Sequence, residues 1–230
     1  MPSASEVEQV RRALQRLSQA AQSDWRQILA SLGSDDQALV SKALAESWTG
    51  IIEYYGDMAS TLAADLVEEQ LDKWGMQART DMVPGVDPKR ATARLGWANS
   101  QPDKLGNMLV LLDELVKQPY RSTLQDSAIK SGAGWARVPT GAETCEFCIL
   151  LASRGAVYSS KRVTIYGFSG KRYHGDCDCT PALVRGPEDY PRGYNPDDLY
   201  DRYDAATSAA GRNDVKDILA QMRRDAQASG

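Results

Sequence analysis

The sequence predicts an α+β protein that is predominantly α. It divides into a helical domain over residues 1–131, a small α+β Cys/His module of the zinc-binding kind over 132–186, and a linker with a helical tail over 187–230. Three observations carry this reading. Apolar residues recur at three- and four-residue steps through the N-terminal half, the period of a helix with one buried face. All four cysteines (Cys145, Cys148, Cys177, Cys179) and the only histidine, His174, fall between positions 145 and 179. Beyond Asp197 the chain returns to an Ala- and charge-rich helical pattern with a break near Gly211.

The first helix is marked by Val7, Val10, Leu14, Leu17 and Ala21, with Ile28 and Leu32 continuing the stripe. Gly33-Ser34-Asp35-Asp36 ends it and supplies N-cap residues for the next. Val40, Leu44, Trp48, Ile51, Ile52 and Tyr55 form the second stripe, and Met58, Leu62, Leu66 and Trp74 extend it past a predicted bend near Gly56. Two prolines and a glycine make Thr80–Pro88 a loop. A short helix follows over Lys89–Asn99, and Pro102 suits the first turn of another, whose run Met108–Leu112 is apolar all round and hence buried. Pro119 is predicted to start a further helix, ended by Gly132 and Gly134. Within the module, Cys145–Arg154 reads as a short helix with Ile149, Leu150 and Leu151 inward. Ala156–Tyr158 and Arg162–Tyr166 read as strand pieces.

Composition narrows the function classes. Hydrophobic residues at 42 % and charged residues at 25 % fit a globular protein with a sizeable core. A net charge of -4 argues against a chain that coats nucleic acid over its whole surface. No apolar run approaches the roughly 20 residues that cross a bilayer, so no membrane partner is expected. Met1–Glu6 lacks the basic and apolar regions of a secretory signal, which predicts synthesis and first folding in a reducing cytoplasm.

The order Cys145-x-x-Cys148, then His174-x-x-Cys177-x-Cys179, is that of a metal site. A Cys-x-x-Cys turn brings two sulfurs to one tetrahedral ion, and residues two apart in an extended segment share a face, so Cys177 and Cys179 can both join. His174 joins them if the chain turns at Gly175. A structural zinc takes four ligands and five candidates are present, so Cys145 and Cys148 plus two of the other three are predicted. Three other readings stay open: a pair of disulfides, a redox pair at Cys145/Cys148, and a cysteine hydrolase with His174 as base. A zinc deaminase is excluded by the order of its ligands, and a nuclease needing several histidines by the single one present.

Between Glu146 and Asp176 the charged residues are all basic: Arg154, Lys161, Arg162, Lys171 and Arg172, interleaved with Tyr158, Tyr166, Phe168 and Tyr173. This is either a phosphate-contacting surface, non-specific and salt-sensitive, or the solvated face of a β-hairpin.

The stretch Gly134-Trp-Ala-Arg-Val-Pro-Thr-Gly-Ala-Glu-Thr-Cys-Glu-Phe-Cys-Ile-Leu-Leu-Ala-Ser-Arg-Gly155, followed by Tyr173-His-Gly-Asp-Cys-Asp-Cys179, resembles the signature of MuF-like minor capsid proteins of phage head morphogenesis. The likeness is strongest to versions from phages of actinobacteria. That family pairs cysteines or polar residues, then carries a Leu-x-x-x-Gly turn, then His-Pro-x-Cys-x-Cys. Here Cys145/Cys148, Leu151–Gly155, His174, Cys177 and Cys179 occupy those places, with Gly175 in that of the proline. The resemblance implies a structural, non-enzymatic protein of the virion head, assembled in the host cytoplasm. It further implies association with the portal or the major capsid protein. Contact with packaged DNA through residues 154–172 is the alternative role, and the amphipathic helices suit self-association.

Overall fold

A computed structural model describes residues 4–32, 37–141, 144–156, 177, 179–211 and 214–229. Among these residues the chain is mostly helical, with one two-stranded sheet and the cysteines between helical regions, the α+β class that the sequence predicts. The helices are α1 (Ala4–Ser31), α2 (Gln37–Lys73), α3 (Pro88–Asn99), α4 (Lys104–Ser131), α5 (Glu146–Ala152), α6 (Pro196–Ala210) and α7 (Val215–Ser229). The strands are β1 (Gly134–Val138) and β2 (Thr180–Val184), paired antiparallel with Arg137 opposite Pro181. They form two compact units, one from the described residues within 9–131 and one from those within 4–8, 132–156 and 177–229.

The core of the larger unit gathers the predicted stripes. Trp25 and Trp48 meet edge to face with centroids 5.0 Å apart, and Ile52, Leu112, Leu115 and Val116 close around them. The Trp48 indole N–H donates to the carbonyl of Ala91 at 2.9 Å, so even its polar end is satisfied inside. Asp87 caps α3 by accepting from the N–H groups of Lys89 and Arg90.

Two expectations change at the contact of α2 with α4. Pro119 does not start a helix: α4 runs through it as one helix from Lys104 to Ser131. Likewise α2 continues through Gly56, where the sequence suggests a bend. The two residues meet, and a Cβ at Gly56 would lie 3.1 Å from Pro119 Cγ. The missing side chain of Gly56 therefore serves close approach. An internal proline costs about 3 kcal/mol through its lost N–H and ring clash, and burial of Pro119 against α2 offsets that cost here.

The loop at 80–88 is an ordered strap on α4. Thr123 Oγ1, Ser127 Oγ and Ser131 Oγ accept the backbone N–H groups of Val83, Asp81 and Arg79 at 2.9, 2.9 and 2.8 Å. A four-residue step along a helix rises about 6 Å, and two residues of extended chain span about 6.6 Å, so the two ladders stay in step. Sequence patterning sees none of this, because the acceptors and donors lie some 40 to 50 positions apart.

In the smaller unit every residue of β1 and β2 is buried, so neither shows the alternation that reveals a strand. This is why both are missing from the sequence reading. The strand pieces predicted at 156–158 and 162–166 lie outside the described residues, save Ala156, which sits in the turn after α5. Ala136, Val138, Ala182 and Val184 pack with Val7, Ala152 and Tyr194 on one face of the sheet. Ile149 of α5 packs with Ala206 of α6 and with Ile218 and Met222 of α7. Gly211 ends α6 in the left-handed conformation, φ +62°, as the predicted break requires.

The Pro/Gly/Tyr-rich segment before α6 is pinned. Tyr194 donates its hydroxyl to the carbonyl of Ala152, and Tyr190 accepts the N–H of Ala156. Asp189 is buried, and its carboxylate accepts from the Arg185 backbone N–H at 3.0 Å and from its guanidinium at 2.7 and 3.0 Å. The Arg185 side chain holds this carboxyl below its ordinary range, outweighing desolvation. A carboxyl depressed on folding contributes stability above its unfolded pKa of about 3.9 and loses it as pH falls through the folded value. Asp189→Asn should therefore destabilise this unit by about 1–3 kcal/mol at neutral pH. Urea unfolding of the two chains should converge as pH falls below about 4.

Candidate metal centre

The cysteines reach one place by two local routes. Cys145 is the N-cap of α5, extended at φ -65° and ψ 154°, and its sulfur accepts the N–H of Cys148 at 3.4 Å. That turn places Cys148 in the first turn of α5, facing inward and fully buried. Cys177 and Cys179 precede β2, and both are buried. None of the four is joined in a disulfide.

The sulfurs of Cys148, Cys177 and Cys179 lie within 4.8 Å of one another, and Cys148 Sγ and Cys177 Sγ are 3.3 Å apart. Zinc–sulfur bonds of about 2.3 Å at tetrahedral angles set sulfurs about 3.8 Å apart, between those two values. The soft donors and their spacing therefore fit a tetrahedral zinc. Cys145, half-exposed and hydrogen-bonded to Cys148, stands beside this trio. His174 lies outside the described residues, as do Lys161, Arg162, Lys171 and Arg172, and Arg154 is half-buried in the turn after α5.

The electrostatics explain why such a cluster suits a cation. Hydrogen bonding with Cys145, then with Cys177 and Cys179, and then burial push the Cys148 thiol far above its ordinary range. Cys179 is also raised: its hydrogen bond with Cys148 pulls the other way, but Cys177 and burial outweigh that pull. Crowded, dry thiols keep their protons until a metal displaces them, so metal uptake releases protons and strengthens with pH.

Gly155 lies in the turn after α5 at φ +58°, and a Cβ there would fall 2.2 Å from the Tyr190 hydroxyl. The Leu151–Gly155 turn thus needs its glycine for both backbone conformation and space. Arg137 is the residue that sequence patterning missed. It is fully buried on β1, and its charge favours the ionised form of Cys179. The only signal was an arginine within an otherwise apolar Trp-Ala-Arg-Val run.

With this geometry in hand, the chain can be set against known proteins. It is 32 % identical to the gene 15 protein of Mycobacterium phage D29 over 155 residues, 56 % of this chain and 54 % of that one. It is 32 % identical to the gene 15 protein of Mycobacterium phage L5 over 84 residues, 36 % of this chain and 26 % of that one. The chain thus spans about half the length of one curated relative and about a quarter of the other. No solved structure matches. No helix among the described residues is long and apolar enough to cross a membrane. The model of the VG15 protein family matches residues 1–206, and the chain belongs to that family, among bacteriophage proteins.

Proposed function

We propose that this chain is a MuF-like minor capsid protein that acts in phage head morphogenesis. It works by binding rather than turnover, at the portal or the inner face of the capsid. The observation that carries the reading is the buried cluster of Cys148, Cys177 and Cys179, set in the stretch whose residues resemble the MuF-like signature. Those three residues would hold one structural zinc, with Cys145 or His174 as the fourth ligand. The ion would cross-link the start of α5 to the start of β2, supplying folding free energy to a unit with small cores. The gene 15 relatives from two phages support a phage role. In this reading the protein resides in the virion and assembles in the host cytoplasm.

The test is co-purification of the tagged full chain from phage-infected cells, with and without nuclease. Portal or major capsid protein should remain bound after nuclease treatment and in moderate salt. Capture lost on nuclease treatment would overturn the reading. If binding also fell steeply with salt and disappeared in an Arg162→Ala, Lys171→Ala, Arg172→Ala chain, a DNA-binding zinc module would replace it. A hydrolase would instead show an activity that one Cys→Ala change removes without unfolding the chain.

A further inference from the structure

We infer that Arg137 is the built-in counter-charge of the cysteine cluster, neutralising metal-bound thiolates in a site that water does not reach. The inference rests on the metal reading above. A divalent ion on three or four thiolates leaves a net negative centre, and buried net charge is costly unless paired.

The sheet register puts the guanidinium where it is needed. Arg137 pairs with Pro181, and cross-strand partners project from the same face. Cys179 immediately precedes β2 and lies two residues before Pro181, so an extended approach to the strand sets it on that face too. Arg137 and Cys179 are then diagonal neighbours, about 7–8 Å apart along the backbone, a span a long side chain covers. The opposite face carries the apolar packing of Ala136, Val138, Ala182 and Val184. Arg137 is 0 % exposed, so its charge is not spent on water. An arginine suits the place better than a lysine where it also hydrogen-bonds, but the sign of the charge is the essential property.

The experiment compares zinc-loaded full-length wild type with Arg137→Met and Arg137→Lys. Zinc affinity is read by chelator competition, and the pH at which half the zinc is released by titration. Arg137→Met should bind zinc about 10–100-fold more weakly, the usual cost of losing a group that supports metal ligands. Its half-release pH should rise, because thiolates without the counter-charge regain protons more readily. Arg137→Lys should stay close to wild type in both. Unchanged affinity in Arg137→Met overturns the inference and leaves the metal site standing, as does a lysine chain as weak as the methionine one. If the methionine chain does not fold, the lysine chain decides: wild-type affinity supports the counter-charge, and its loss overturns it. A wild type that takes up no zinc overturns both the inference and the metal reading.

Discussion

A Cys148→Ser chain is expected to lose its zinc and the folded state of the smaller unit, while the helices of the larger unit persist. Cys148 is the hub of the cluster: its N–H donates to Cys145 Sγ, and its sulfur lies 3.3 Å from that of Cys177. Serine replaces a soft, ionisable sulfur with a hydroxyl that stays protonated and does not suit zinc. Structural zinc in small modules contributes about 10–16 kcal/mol, comparable with or larger than the whole stability of a domain. The damage should spread beyond α5, because Ile149 packs on α6 and α7. Elemental analysis should fall from about one zinc per chain in the wild type to none. Hydrogen exchange should rise sharply over β1, α5, β2 and α6, with α2 and α4 still protected. A serine chain that keeps its zinc would remove Cys148 from the ligand set.

The second large effect is expected in the other unit. Trp48→Ala should destabilise it by about 3–5 kcal/mol, the range for truncating a buried aromatic in a core that cannot collapse. Trp48 is wholly buried, meets Trp25 edge to face, and donates to Ala91. Truncation opens a cavity and also leaves the Ala91 carbonyl without its indole donor, so two costs add. Urea unfolding followed by helical circular dichroism measures the change. A loss under about 1 kcal/mol would mean that neighbours refill the space, contrary to the close packing described.

How much of this was legible in the sequence follows from the range of the forces. The stripes through Val10, Leu14, Trp48 and Ile52 are local, and they gave the helices and most of the core. The Cys145-x-x-Cys148 turn is local too, and it gave half the site. The reading failed where distant residues decide. Pro119 reads as a helix start until Gly56 is seen against it. The strands read as nothing regular because burial on both faces erases the period of two. Arg137 stayed hidden because its meaning depends on a partner strand far along the chain.

The ladder between α4 and residues 79–83 bears on how this protein can vary. Its donors are backbone amides, so positions 79, 81 and 83 can change identity with little effect on the ladder, proline excepted. Length is another matter. One residue inserted between Arg79 and Val83 would turn the following amides away from their hydroxyls, since successive residues of extended chain face opposite ways. The strap is therefore permissive to substitution and strict about spacing, and variants that carry it should differ there in letters rather than in number.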